Sequence, residues 1–110
     1  MFTFDVVGRP AVAERVVITR DLMDASRFRS AAPGVAIVRS VTDDALCDAA
    51  VVLVDLTLGI DLASIVAEGR TVIAYGPHVD DDALVAAKEA GCDDALARSV
   101  AFRRAAELLR

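Results

Sequence analysis

Tryptophan is absent from this chain, histidine occurs once, cysteine twice and proline three times. The single histidine, His78, excludes a zinc site built from several histidines. It is read as a solvent-facing turn residue, with a loop base as the functional alternative. Cys47 and Cys92 lie far apart and form no CxxC. That excludes a disulfide framework and leaves reduced thiols, read here as small core residues of a cytoplasmic protein. Four Phe and one Tyr are too few for a base-stacking platform. No run of Lys or Arg exceeds a pair, and the net charge is −5, which repels phosphate backbones and anionic lipids. No apolar stretch approaches the roughly 18 residues of a membrane span. The first residues, Met1-Phe2-Thr3-Phe4-Asp5, lack the basic-then-apolar pattern of a secretory signal. Neither GxGxxG nor GxxxxGK[ST] occurs, so nucleotide binding has no motif behind it. Nucleic acid and membrane are therefore not the expected partners.

What the chain has in quantity is small apolar residues. The apolar fraction is 55% over 110 residues, enough for one packed core but not two. The pattern alternates strand and helix. Strands are expected at Val16-Val17-Ile18-Thr19, Val35-Ala36-Ile37-Val38, Ala50 to Leu56, Thr71 to Tyr75, and near Asp94 to Ala97. The third is apolar on successive residues, as in a strand covered on both faces. Between them, a helix is expected over Asp21 to Ala32, with Leu22, Ala25, Phe28 (or neighbouring Met23) and Ala32 at inward spacing and Pro33-Gly34 as the stop. A brief helix should follow Thr42-Asp43-Asp44 through Cys47, and another, capped by Asp61, should run from Leu62 to Glu68 with Leu62, Ile65 and Val66 inward. Asp80-Asp81-Asp82 loads the start of the next helix with favourable charge rather than forming a cation site. That helix should bury Leu84, Val85 and Ala87, and Gly91 should end it. A last helix from Ser99 should anchor on Phe102, Ala105, Ala106 and Leu109.

Five such units predict an α/β fold: a five-stranded, doubly wound parallel sheet of flavodoxin-like type, strand order 2-1-3-4-5. Residues 15–110 form this domain. Residues 1–14 are expected to be an arm, flexible or forming an edge strand or subunit contact, with Gly8-Arg9-Pro10 breaking the Phe2, Phe4, Val6 alternation.

Three segments carry a family resemblance. Ala90-Gly91-Cys92-Asp93-Asp94-Ala95-Leu96 is similar to the run that leads into the fifth strand of response-regulator receiver domains. Val52-Leu53-Val54-Asp55-Leu56-Thr57-Leu58-Gly59 resembles their phosphoacceptor strand and turn, without its proline. Val72-Ile73-Ala74-Tyr75-Gly76-Pro77-His78 resembles their fourth strand and switch loop. The three are collinear over roughly residues 15–110. The resemblance implies an acidic pair after strand one to hold Mg²⁺, an acceptor aspartate after strand three, a hydroxyl after strand four and a lysine after strand five. The metal and lysine shield the attacking carboxylate from the like charge it approaches.

Matched by position, Asp55 takes the acceptor place and Asp21 one member of the acidic pair, while Arg20 falls on the other. Gly76 replaces the hydroxyl and Arg98 the lysine. Arginine at a Mg²⁺ ligand position changes the local charge by two units, and a hard dication demands oxygen. Asp55 is accordingly expected to pair with Arg20 or Arg98, with His78 at the pocket edge and no metal or other cofactor. The expected function is that of a pseudo-receiver: a non-catalytic signalling or regulatory domain that works through protein contacts independently of phosphorylation. Its partner would be a signalling protein or a second copy, meeting a face that carries Ala86, Ala87, Lys88, Ala90, Phe102, Arg103 and Ala106. With the chain ending at the last helix, output is expected to pass through that partner. The alternative is a single-domain response regulator phosphorylated on Asp55, with Mg²⁺ on Asp21 and Asp55. A third reading is a flavodoxin-like small-ligand binder using the crevice at the strand ends; it lacks DxHxxG.

Overall fold

The computed structural model describes residues 15–77 and 81–109. The arm at 1–14 and His78 lie outside the described residues, so the expectations for both fall beyond this description. Strands β1 (Arg15–Ile18), β2 (Ala36–Val38), β3 (Val51–Asp55), β4 (Thr71–Gly76) and β5 (Asp94–Ala97) form one sheet in the order β2-β1-β3-β4-β5. Every pairing is parallel, with Val17 opposite Leu53, Leu53 opposite Ile73, and Asp55 opposite Tyr75. Helices α1 (Leu22–Ala31), α2 (Asp81–Glu89), α3 (Arg98–Arg103) and α4 (Ala105–Leu108) pack around it. This is the fold expected from the sequence.

Because successive strand residues point to opposite faces, the apolar strands serve two cores at once. On one face Val16, Ile18, Val52, Val54, Val72 and Ala74 pack with Ile65, Ala87 and Cys92. On the other, Val17, Leu53, Ile73 and Tyr75 pack with Phe28, Ala32, Ala101, Ala105 and Leu109. The second core is the aromatic one: the rings of Phe28 and Tyr75 meet edge to face, with centroids 5.4 Å apart. Such pairs add about 0.5–1.5 kcal/mol beyond the area they bury.

Several local expectations are corrected. Leu22 is 80% exposed and not inward-facing. It lies in the first turn of α1, beyond the end of the strands, where no sheet surface covers it. Ala25 and Phe28, further along, do face the core, and Asp24 joins them. Leu62 to Glu68 does not make an α-helix: only a 3-10 turn, Leu62–Ser64, forms behind the Asp61 cap. Ile65 is nonetheless buried, and Leu62 and Val66 pack partly against the first core. The brief segment at Asp44–Leu46 is likewise a 3-10 turn, and Cys47, expected in the core, is exposed. Cys92 is buried as expected, and burial pushes its thiol pKa up. In α2 only Ala87 is buried; Val85 lies on the solvent side. Ala87 therefore cannot belong to a contact face. The last helix is interrupted at Arg104, and Ala106 is exposed while Ala105 and Leu109 anchor it.

Arg70 replaces much of what the missing helix would have supplied. Its guanidinium donates to the carbonyls of Ala49 (3.0 Å), Ile65 (3.0 Å) and Leu46 (2.5 Å). Backbone carbonyls without a ladder partner need such donors when partly buried. One side chain thus ties the 3-10 turns at Asp44–Leu46 and Leu62–Ser64 to the foot of β4. Among the described residues, no helix is long and apolar enough to cross a membrane.

Candidate functional site

Parallel strands end together at one edge of the sheet, and open α/β proteins place their sites in the crevice beyond that edge. Three strand ends bring polar groups there: Thr19 follows β1, Asp55 closes β3, and Tyr75 lies one residue from the end of β4. All three point to the face that α1, α3 and α4 cover, and all three are buried.

Asp55 is 1% exposed. One carboxylate oxygen, Oδ1, accepts from the Thr57 backbone N–H (2.9 Å) and from the Thr57 hydroxyl (2.7 Å). The other, Oδ2, accepts from the Thr19 hydroxyl (3.1 Å). Thr19 Oγ1 in turn accepts from the Asp21 N–H at 3.1 Å. A carboxylate has room for about four such bonds, and Asp55 fills three of them with its own chain.

A second buried carboxylate was not foreseen. Asp24, on α1, is 3% exposed and accepts from the Tyr75 hydroxyl at 3.0 Å. The Arg98 guanidinium stands beside it, with Nε 3.5 Å from Oδ2. That nitrogen is buried without a hydrogen-bond partner, so the contact is an ion pair without a properly aimed hydrogen bond. Burial raises the Asp24 pKa above the ordinary carboxylate value. The Tyr75 hydrogen bond and the Arg98 charge pull it back, whereas Asp21 and Asp55 push it further up. Burial also raises the Tyr75 phenol; the Thr19 hydroxyl opposes this, and the charges of Asp55 and Asp24 reinforce it. The phenol therefore stays protonated as a donor. The signal for Asp24 was in the sequence: Asp24, Phe28 and Ala32 recur every four residues and so share one face of α1.

The pairing expected for Asp55 is corrected here. Neither Arg20 nor Arg98 makes an ion pair with it among the described residues. Arg20 is exposed and donates from Nε to the Arg39 carbonyl at 3.3 Å, while Arg98 turns to Asp24. Small hydroxyls reach Asp55 where long guanidinium arms would have to be buried, which costs far more desolvation. Asp21 is the N-cap of α1: its Oδ1 accepts from Met23 N (2.9 Å) and Asp24 N (3.0 Å). That satisfies two of the donors orphaned at a helix start.

The receiver resemblance implies Mg²⁺ near these carboxylates, and the donor set, with Arg20 where that resemblance implies an acid, does not fit it. Asp55 has three bonds from hydroxyl and amide donors, Asp24 is held by Tyr75 and Arg98, and Asp21 uses Oδ1 for its cap. No group of three or more His, Cys, Asp or Glu among the described residues could hold a metal. Gly76 lines a hollow of about 70 Å³ with Leu56, Thr57, Pro77, Ala83 and Leu84. At roughly 30 Å³ per water, that space holds a few solvent molecules, and none of Asp21, Asp24 or Asp55 lines it. A wider crevice of about 340 Å³ lies to the side, lined by Arg27, Pro77, Arg98, Ser99 and Phe102. The Arg27 guanidinium covers the Phe102 ring there at 5.0 Å.

A solved structure of a response regulator from Thermotoga maritima superposes on this chain with a TM-score of 0.62 at 14% identity. The match covers 90% of this chain and 98% of that one. No protein-family model matches the sequence, and no curated protein does. The likeness establishes a receiver-like fold.

Proposed function

We propose that this is a non-catalytic receiver-like regulatory domain that acts through protein contacts, without phosphorylation of Asp55. One observation carries the reading: the residue in the acceptor position is 1% exposed, with both carboxylate oxygens engaged by Thr19 and Thr57. An attacking carboxylate needs a free lone pair aimed at phosphorus, an in-line approach and nearby positive charge. Asp55 has three of its roughly four acceptor positions filled by its own chain and no cation in ion-pair contact among the described residues. The nearest cationic candidates, Arg20 and Arg98, are engaged with the Arg39 carbonyl and with Asp24. Gly76 offers no hydroxyl to bind a phosphoryl oxygen.

The contact surface in this reading is the one formed by α2 and the final helices. Ala86, Lys88, Ala90, Arg103 and Ala106 are exposed there, and Phe102 is half-buried against Phe28 and Arg27. The chemistry is that of small side chains interspersed with base, suited to an acidic patch on a signalling protein or on a second copy.

The test is incubation with acetyl phosphate and Mg²⁺, read by intact mass. No phosphoryl addition is expected. The gain of one phosphoryl group, absent in Asp55→Ala, would overturn the proposal and return the protein to the phosphorylated response regulators.

A further inference from the structure

A hollow of about 180 Å³ lies between α1 and the edge of the sheet, lined by Thr19, Arg20, Asp21, Leu22, Ala25, Arg29, Ile37 and Arg39. We infer that Arg20, Arg29 and Arg39 form a binding site for a small phosphoryl dianion, either inorganic phosphate or a phosphomonoester. Three different elements converge to make it. Arg20 follows β1, Arg39 follows β2, and Arg29 lies four residues after Ala25 on the flank of α1 that borders the hollow.

The charge balance singles the place out. The chain carries 17 acids against 12 bases, so a cluster of cations without acids runs against its background. None of the three arginines has a carboxylate within ion-pair distance among the described residues. The single acid in the lining, Asp21, has Oδ1 bonded to the backbone N–H groups of Met23 and Asp24. Three positive charges against one negative leave a local excess of two, which matches a dianion. Among the described residues only Arg20 of the three has a protein partner, and that bond uses Nε alone. The remaining donors of three planar forks are available to tetrahedral oxygens, the geometry for which guanidinium exceeds ammonium.

Size narrows the ligand. Pockets for drug-sized molecules run from roughly 300 Å³ upward, and this hollow is smaller, so a nucleotide does not fit inside it. Leu22, 80% exposed at the lip, offers apolar surface to the organic part of a monoester. The site is separate from the Asp55 acceptor position, though Thr19 touches both, lining the hollow and donating to Asp55. An occupant here adds to a receiver-like domain a ligand held by ion pairing and not by covalent transfer.

The experiment is an amide-resolved NMR titration of the whole chain with sodium phosphate and, separately, with phenyl phosphate, against sodium chloride at matched ionic strength. Saturable shifts at Arg20, Asp21, Leu22 and Arg39 beyond those of chloride are expected. Arg29→Ala and Arg39→Ala should each weaken binding by roughly 10-fold, the worth of one charge-assisted contact. Arg103→Ala, outside the hollow, should leave it unchanged. Extra shifts of the Leu22 and Met23 amides with phenyl phosphate identify a monoester; equal responses identify free phosphate. Unsaturable shifts equal to those of chloride, shifts centred on Arg98 and Ser99, or equal weakening by Arg103→Ala overturn the inference. Because mass addition at Asp55 is read separately, failure here is distinguishable from failure of the regulatory reading.

Discussion

Replacing Tyr75 with Phe isolates one interaction in the buried polar chain. The ring is fully buried and stacked edge to face on Phe28, and Phe keeps that packing. Only the hydroxyl that donates to Asp24 at 3.0 Å is lost. A hydrogen bond to a charged group contributes about 1.5–3 kcal/mol, a neutral one about 1 kcal/mol. The magnitude therefore depends on whether Asp24 is ionised. Its pKa is raised in the folded protein above 3.8, chiefly by burial. Between 3.8 and the folded value the native state holds more protons than the unfolded one. Stability must then fall as pH rises through that window. Tyr75→Phe removes a contact that restrains the raised pKa, so the mutant's folded value lies higher and its stability falls further. The wild-type advantage should be about 1 kcal/mol near pH 4 and grow to about 2 kcal/mol near neutral pH. Urea denaturation of both proteins across this range, with the slope held equal, measures it. A difference below about 0.5 kcal/mol near pH 7, or one that shrinks with rising pH, would refute the assignment of Tyr75 as the donor that supports a buried Asp24 carboxylate.

Arg70→Met keeps the apolar stem but removes the donors to Ala49, Ile65 and Leu46. It should cost about 2–3 kcal/mol in denaturant unfolding and speed amide exchange at residues 44–49 and 62–66. Gly91 adopts φ +109°, and a Cβ there would meet Val66 Cγ1 at 3.2 Å. Gly91→Ala should cost about 1–3 kcal/mol, and adding Val66→Ala should relieve the steric part but not the backbone part in a thermal melt.

The sheet was legible because its signal is redundant. Unbroken apolar runs such as Val51 to Val54 admit one interpretation when bounded by turn residues, and five of them in alternation fix the topology. The bounds of β5, Asp94–Ala97, coincide with those expected. Helices were less legible where the sequence offered a cap without a sustained face. Asp61 does cap its turn, but Gly69, at φ +81°, follows before a sustained apolar face develops, and a 3-10 turn is what forms. In α1 the apolar spacing began one turn too early, because periodicity does not reveal where the neighbouring sheet ends. Leu22 and Met23 extend past it into solvent.

At the site, residue positions were readable and their partners were not. Asp55 stands at the end of β3 and Arg98 directly after β5, as the alignment of motifs implied. Charge alone suggested that Arg20 and Arg98 would neutralise Asp55. Reach and desolvation decided otherwise: Thr19 and Thr57 sit on the adjacent strand end and in the same turn, so they fill the oxygens without burying a cation. Threonine at a strand end is common enough to carry no signal in a single sequence. Tyr75 was hidden for the opposite reason, since a buried aromatic in a strand is explained by packing before its hydroxyl is considered.

On the proposed regulatory reading, the arrangement bears on what would keep Asp55 from reacting. A lost metal ligand is the cause the motif alignment suggests, since Arg20 falls where the receiver resemblance implies an acid. Yet the hydrogen bonds around Asp55 do not involve Arg20 at all. An acid placed at position 20 would add negative charge next to Asp21 while leaving both oxygens of Asp55 bonded. Freeing the nucleophile requires removing the threonines, and removing Thr19 leaves a buried carboxylate oxygen without a donor, a loss of about 1–3 kcal/mol or more. Stability and reactivity are thus opposed at the same three bonds. On the regulatory reading, what holds the domain in one state is the satisfaction of its own carboxylates by neutral donors, so the route back to phosphotransfer runs through Thr19 and Thr57 before it runs through the metal.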